Sequence, residues 1–318
     1  MPSLAEIISL NSRYAASSPA AKSPVAVFVG ATSGLGEHTA YALARYSYEP
    51  TIYIVGRNAE SGARVLAHLK ELNPRTHAEF LQHDVTLISE ADKLATEISA
   101  REKKINLLFL SPGFLTINGR TESKEGIDTK LAVNYYGRWR IIDKLLPLVE
   151  AAVTPNDPAA SNARVLTLLA PGNEGPVDES DLDLKKHFSL RAANRHITEF
   201  NSLAVVRYAS THPSVGFIHA GPGVVNTGIT REFPWYIRWT VAPLMKCFAD
   251  SPENAAEKFF YVAATDQQYR TGSHIIDGAH KSLKERAEQK GYLDKALQDK
   301  VFEHTQQMFR NALATQQS

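Results

Sequence analysis

The 318-residue chain has one cysteine, Cys247, so no intrachain disulfide can form and a cysteine-rich zinc site is excluded. It has no excess of either charge. The 35 Lys and Arg stand against 34 Asp and Glu, a net of +1, and overall charge therefore draws neither nucleic acid nor an anionic membrane. Long apolar runs are missing too. The N-terminus carries Glu6 and only the short stretch Ile7 to Leu10, well short of the basic start and ~7–15 apolar residues of a secretory signal. The most apolar window, residues 233–248, is shorter than the ~20 residues of a membrane helix and holds Arg238, Pro243 and Lys246. The eleven histidines show no H-x-H or H-E-x-x-H spacing, so no metal is expected. These absences predict a cytoplasmic protein with no nucleic-acid partner and no integral membrane segment. Hydrophobic residues at 43% and charged residues at 22% exclude global disorder.

What is present is an alternation. Apolar runs of strand length fall at 25–29, 51–55, 78–81, 105–110, 165–169 and 215–220, with a last candidate at 273–276. Runs that are apolar throughout suit strands buried on both faces, as in parallel sheets. Helical patterns fall between them at 37–46, 61–72, 89–103, 127–150 and 193–210. The alternation predicts an α/β fold, a doubly wound parallel sheet of Rossmann type in a single domain over residues 25–280. Residues 1–24 read as a helix and linker, 154–162 as an exposed loop, and 281–318 as a helical extension of one or two helices.

The first strand runs into Gly30-Ala31-Thr32-Ser33-Gly34-Leu35-Gly36 and then into a helix. Glycines let a backbone turn tightly and approach a pyrophosphate, while the helix start supplies free N–H groups and a positive dipole end. Thr32 and Ser33 add hydroxyl donors. The second strand ends at Arg57, 21 residues beyond Gly36, with no Asp or Glu between Ile54 and Asn58. An acidic residue there would favour NAD, whereas an arginine suits the 2′-phosphate of NADP.

With these features the sequence resembles the short-chain dehydrogenase/reductase family over roughly residues 25–280. Gly30 to Gly36 is similar to the family's glycine motif. His83-Asp84-Val85-Thr86 resembles the segment after the third strand, where Asp84 and Val85 would hold the adenine. Leu110-Ser111-Pro112-Gly113 stands at the turn after the fourth strand and matches firmly at Gly113. Val133-Asn134-Tyr135-Tyr136-Gly137 resembles the helix carrying a catalytic asparagine, which implies that role for Asn134. Pro222-Gly223-Val224-Val225-Asn226-Thr227 is similar to the segment after the sixth strand, with Pro222, Gly223 and Val225 at the cofactor and Thr227 at its carboxamide. The resemblance implies NADP as cofactor and pairing through two long helices as a homodimer or homotetramer. It extends to fungal members found around specialised, or secondary, metabolism.

The family's proton machinery does not follow. Its serine after the fifth strand falls at Ala170. Its Tyr-x-x-x-Lys, placed by the Leu203-Ala204 pair, falls on Thr198 and Ser202. No lysine occurs from His187 to Met245, so no shift of register restores the pair. A positioned general acid contributes ~10²–10⁴-fold, and a threonine hydroxyl is too weak an acid to replace it. His196 is the first replacement to consider, since histidine titrates near neutrality, and Glu199 is the alternative. Trp235 and Trp239, spaced i, i+4 in a lid over about residues 228–250, suit either an aromatic wall for an apolar substrate or a packing stripe. Two functions are open on this scaffold. One is an atypical NADP(H)-dependent oxidoreductase acting on a medium-sized, mostly apolar carbonyl, enone or alcohol, with Asn134, Thr198, Ser202 and His196 as the positions to test. The other is a non-redox template cyclase or isomerase, or a cofactor-sensing binding protein.

Overall fold

The computed structural model describes residues 2–114, 116–154, 162–223, 225 and 250–315. Its strands are β1 (Val25–Val29), β2 (Thr51–Gly56), β3 (His77–Gln82), β4 (Leu107–Leu110), β5 (Arg164–Leu168), β6 (Gly216–Ala220) and β7 (Gly272–Ile276). They form one sheet in the order β3-β2-β1-β4-β5-β6-β7, with every neighbouring pair parallel. β1, β4, β5 and β6 are buried along their whole length, as apolar runs covered on both faces must be. β3 lies at the edge and is largely uncovered, which accounts for His77, Glu79 and Gln82 and for its weak apolar signal.

The helices α1 (Leu4–Ser17), α2 (Gly34–Arg45), α3 (Ala59–Leu72) and α8 (Pro252–Phe260) pack on one face, around Ala26 and Phe28. Helices α4 (Ile88–Arg101), α6 (Gly137–Glu150), α7 (Leu190–Thr211) and α10 (Lys295–Ala314) cover the other, around Val25, Val27, Val165 and Phe217. A short α9 (Lys284–Gln289) follows β7. None of the described helices is long and apolar enough to cross a membrane.

Three local results refine the sequence reading. The segment read as linker and helix at the N-terminus is tied down, because Asn11 Nδ2 donates to Glu257 Oε2 at 2.9 Å and Tyr14 packs edge-on against Phe260. The helix expected over 127–150 is interrupted. A single turn, α5 (Thr129–Leu131), leads into a π-helical turn, Ala132–Tyr136, before α6 begins. Just beyond this turn the helix meets the loop after β3: a Cβ at Gly137 would stand 2.1 Å from the Val85 carbonyl oxygen, so only glycine fits there. The turn carries Asn134, and such widened turns are frequent at functional sites.

The third result concerns the long helices through which pairing was expected. Here α10 of the same chain lies over them. The Tyr135 hydroxyl meets Thr305 Oγ1 at 2.9 Å, Tyr136 meets His304 Nε2 at 2.9 Å, and the Arg207 guanidinium covers the Phe302 ring at 4.0 Å. Ending the chain after Asp294 therefore uncovers Tyr135, Trp139 and Tyr208. Light scattering and thermal melts on the truncated chain are expected to show self-association or a melting temperature lower by roughly 10 °C, since the buried contacts made by Val301, Met308 and Phe309 are removed. A truncated chain with unchanged mass and melting would show that α10 does not protect this face.

Candidate active site

The strand order reverses between β1 and β4, so the crevice beyond their C-terminal ends is where such sheets take a ligand. The glycine-rich turn closes on this crevice at van der Waals limits. Gly30 has φ +78°, and a Cβ there would come within 2.4 Å of Pro112 Cα. A Cβ on Gly36 would lie 2.4 Å from Ser111 Oγ, and one on Gly56 would lie 2.6 Å from Thr32 Cγ2. Ser33 is the N-cap of α2 yet its side chain makes no capping bond, so the first-turn N–H groups stay available to an anion. Gly34 is also left-handed, at φ +68°, and Leu35 is buried behind it. A turn in which Gly30 and Gly36 leave no room for a Cβ, leading into uncapped N–H donors, fits a dinucleotide pyrophosphate.

Beyond the end of β2 stand Arg57 and Asp84, whose charged groups are 4.0 Å apart on the surface. Gln82 Nε2 donates to the Arg57 carbonyl at 3.0 Å, and Asp84 Oδ1 accepts from the Thr86 N–H and hydroxyl. Val85 is buried beside Gly137. On the other side, Asn134 Nδ2 donates to the Lys130 carbonyl at 3.0 Å, and a Cβ on Gly113 would lie 3.0 Å from Asn134 Oδ1. Asn134 and Gly113 thus meet. The Asn134 carbonyl accepts from Asn201 Nδ2 at 3.0 Å, which locks the π turn to α7. At the end of β6, Pro222 and Gly223 abut Gly278, and Val225 bridges to Asp250. Thr227, Trp235, Trp239 and the lid lie outside the described residues.

A row of buried polar groups that the sequence reading did not foresee crosses the sheet ends behind Gly113. Arg138 is 1% exposed and carries no carboxylate partner among the described residues. Its guanidinium donates to Thr167 Oγ1 at 2.7 Å, the Leu168 carbonyl at 2.6 Å and the Pro112 carbonyl. Burial brings its pKa down to about 9, so it stays cationic at neutral pH. Thr167 is in register with His219 on β6, so their side chains share a face. Ser202 Oγ donates to Glu174 Oε1 at 2.8 Å, and with its one proton spent it accepts from His219 Nδ1 at 2.9 Å. His219 therefore carries its proton on Nδ1. Burial, then the Arg138 charge, push its pKa down to about 3. Ser202, the position to which the resemblance assigns a lysine, is a hydroxyl tied to a carboxylate.

Three polar atoms at this corner have no partner among the described residues: Thr198 Oγ1, Glu199 Oε1 and His219 Nε2. All three side chains are at least 98% buried. Such groups are costly unless something else completes them. Glu199 Oε2 accepts the Gly175 N–H at 3.1 Å. Burial, with the nearby Glu174 charge adding, raises the Glu199 pKa to about 8. It is thus a neutral carboxylic acid at pH 7, one residue beyond the position of the family's tyrosine. His196 is differently placed. Its Nε2 accepts the Asp178 N–H at 2.9 Å and its Nδ1 faces the Leu182 carbonyl at 3.2 Å. Both nitrogens are engaged in holding the loop before α7, and burial lowers its pKa.

No metal was expected from sequence. The described residues do gather ligand atoms of Asp178, Asp181 and His187 within 4.8 Å. The Asp181 carboxylate there accepts three backbone N–H groups, from Lys185, Lys186 and His187, and so closes the loop.

Comparison with known proteins supplies the class. The short chain dehydrogenase family matches residues 24–154. Oxidoreductase AN1596 of Emericella nidulans is 39% identical over 253 residues, 78% of this chain and 74% of that protein. Oxidoreductase andH of Emericella variicolor is 32% identical, over 91% of this chain and 82% of its own length. Among solved structures, an alcohol dehydrogenase from Thermococcus sibiricus complexed with 5-hydroxy-NADP superposes with a TM-score of 0.57 at 18% identity, covering 81% of this chain and 98% of that one. The sheet and crevice define a Rossmann-type oxidoreductase fold. The chain belongs to the short-chain dehydrogenase/reductase family, and it is similar to fungal members.

Proposed function

We propose that the protein is an NADP(H)-dependent oxidoreductase acting on a medium-sized, mostly apolar carbonyl, enone or alcohol, with Glu199 as the proton donor in place of the family's tyrosine. The observation that carries this reading is the Glu199 carboxyl itself: buried, neutral at pH 7, and with one oxygen unpartnered. Supporting the cofactor are the Cβ-free cradle at Gly30 and Gly36, the uncapped start of α2, and Arg57 without an acidic neighbour in β2. Gly30, Thr32, Ser33, Gly34, Leu35 and Gly36 would hold the pyrophosphate, Arg57 the 2′-phosphate, Asp84 and Val85 the adenine, and Gly113 and Asn134 the nicotinamide ribose side. Bound there, the reduced nicotinamide supplies a hydride to the substrate carbon.

The protein's own part is acid catalysis and positioning. A proton leaves the Glu199 carboxyl for the substrate oxygen, and the Gly175 N–H bond supports the carboxylate that remains. Arg138 provides a fixed positive charge behind the Pro112-Gly113 turn, in a buried setting where charge acts strongly. Asn134, locked by Asn201, orients the substrate or a water. The apolar, aromatic composition of residues 233–248 supports a sizeable apolar substrate, and the fungal relatives support a place in specialised metabolism.

One observation favours the non-redox alternative. Glu174 brings a carboxylate to the position where the family keeps an ammonium. Incubating the purified protein with NADPH and a panel of ketones, aldehydes and conjugated enones separates the two. Loss of reduced-nicotinamide absorbance with at least one carbonyl class is expected. NADPH that binds and stays unconsumed across the whole panel would leave a sensing or template role instead.

A further inference from the structure

We infer that Arg64, on α3, is the second cation of the site for the adenosine 2′-phosphate and a determinant of NADP over NAD. The inference rests on the NADP reading above and adds to it a residue from outside both sequence segments that suggested a phosphate site. The glycine-rich turn itself offers no cation, only Ala31, Thr32, Ser33 and Leu35 between its glycines. Arg57 stands alone at the rim with its side chain 65% exposed, and it shares its charge with Asp84. One arginine shared with a carboxylate leaves a dianionic phosphate largely unneutralised, and a second, oriented guanidinium adds directional contacts to its oxygens.

The fold brings a second guanidinium to the same place. Arg64 Nη2 donates to the Thr32 carbonyl at 3.1 Å. Thr32 in turn packs on Gly56, the residue before Arg57, so closely that a Cβ there would lie 2.6 Å from Thr32 Cγ2. Arg57, Thr32 and Arg64 therefore converge at the C-terminal ends of β1 and β2. The arginine is held in place rather than free. Nη1 and Nη2 meet Glu37 Oε1 at 2.5 Å and Oε2 at 3.0 Å, and Glu37 is fixed by the Tyr41 hydroxyl at 2.7 Å.

Glu37 thereby fixes the rotamer, and its carboxylate also offsets part of the charge, so the gain expected from Arg64 is directional. Three of the five guanidinium N–H groups are spent on Glu37 and Thr32, and the Tyr41 hydroxyl also lies within bonding reach of the guanidinium, which leaves at least one N–H for a phosphate oxygen. More than half of the side chain is open to solvent. A planar donor with its orientation already paid for is the geometry that recognises phosphate oxygens.

The test uses the full chain and two small probes, adenosine 2′,5′-bisphosphate and AMP, which differ only in the 2′-phosphate, followed by NADPH and NADH. Calorimetric titration of Arg64→Ala is expected to weaken adenosine 2′,5′-bisphosphate and NADPH roughly tenfold or more while moving AMP and NADH less than about threefold. Arg64→Lys should keep part of the selectivity, and it serves as the test if the alanine variant does not fold. Equal loss for both members of each pair would mean that Arg64 only braces α3 against α2, and no loss for either would equally overturn the inference. A wild-type chain that prefers NADH, or that binds neither dinucleotide, would instead defeat the NADP reading on which this rests.

Discussion

Glu199→Gln is expected to lower turnover ~10²–10⁴-fold while leaving NADPH affinity within a few-fold of wild type, because the variant keeps the shape and the Gly175 contact but loses the transferable proton. The pH dependence gives a second reading of the same group. Burial raises the carboxyl from the ordinary glutamate value of 4.5 to about 8, so the acid form that donates is present below that value. Wild-type reduction should therefore decline as pH rises through about 8, and that limb should be absent from the residual activity of the variant. Stability carries the same sign. Since the folded pKa lies above the unfolded one, the protonated carboxyl's contribution is complete below pH 4.5 and is lost as pH climbs toward about 8. Glu199→Gln should accordingly gain on wild type in thermal melts at pH 8–9 relative to pH 5. Full turnover in the variant, with the high-pH limb intact, would remove Glu199 from the chemistry.

The second large effect is expected at Arg138. Replacing it by methionine, which is similar in length, leaves the Leu168 and Pro112 carbonyls and Thr167 Oγ1 without their donor in a region sealed from water. Each unsatisfied buried acceptor costs ~1–3 kcal/mol, so the loss should reach about 3 kcal/mol or more. Arg138→Lys should recover only a part, because an ammonium cannot span the ends of β4 and β5 as the planar fork does. Urea denaturation measures this. A midpoint unchanged in Arg138→Met would mean that the polar row is not holding these strand ends together. Relief of the Arg138 charge should also let the His219 pKa rise, visible as a shifted imidazole signal in proton NMR.

The sheet was legible in sequence because parallel strands buried on both faces need unbroken apolar runs; VAVFV and LLFL admit few other readings. The edge strand β3 was read short since alternation at 77–82 dilutes that signal. The glycine turn was legible for a similarly local reason, as three glycines between a strand and a helix meet a backbone requirement. The interruption at Ala132–Tyr136 was not, because the apolar spacing there is the same for an α and a widened turn, and the contact of Gly137 with the Val85 carbonyl joins residues some fifty positions apart. The loss of tyrosine and lysine could be read directly, with Leu203 and Ala204 fixing the register. Glu199 could be named there as the alternative to His196, but the groups around Ser202 could not. Glu174 reaches Ser202 from a loop 28 residues away, and His219 joins from the next strand. A histidine inside the buried run GFIHA and an arginine four residues after Asn134 were the available signals, and each is ambiguous until the fold pairs them.

The proposed function requires that the chain bind a phosphorylated nicotinamide dinucleotide without the family's tyrosine. Titrating the purified protein with NADPH and NADH side by side, following nicotinamide fluorescence, tests this most directly. Saturable binding with NADPH favoured roughly tenfold or more is the predicted result. No saturable change with either dinucleotide, or a preference for NADH, would contradict it.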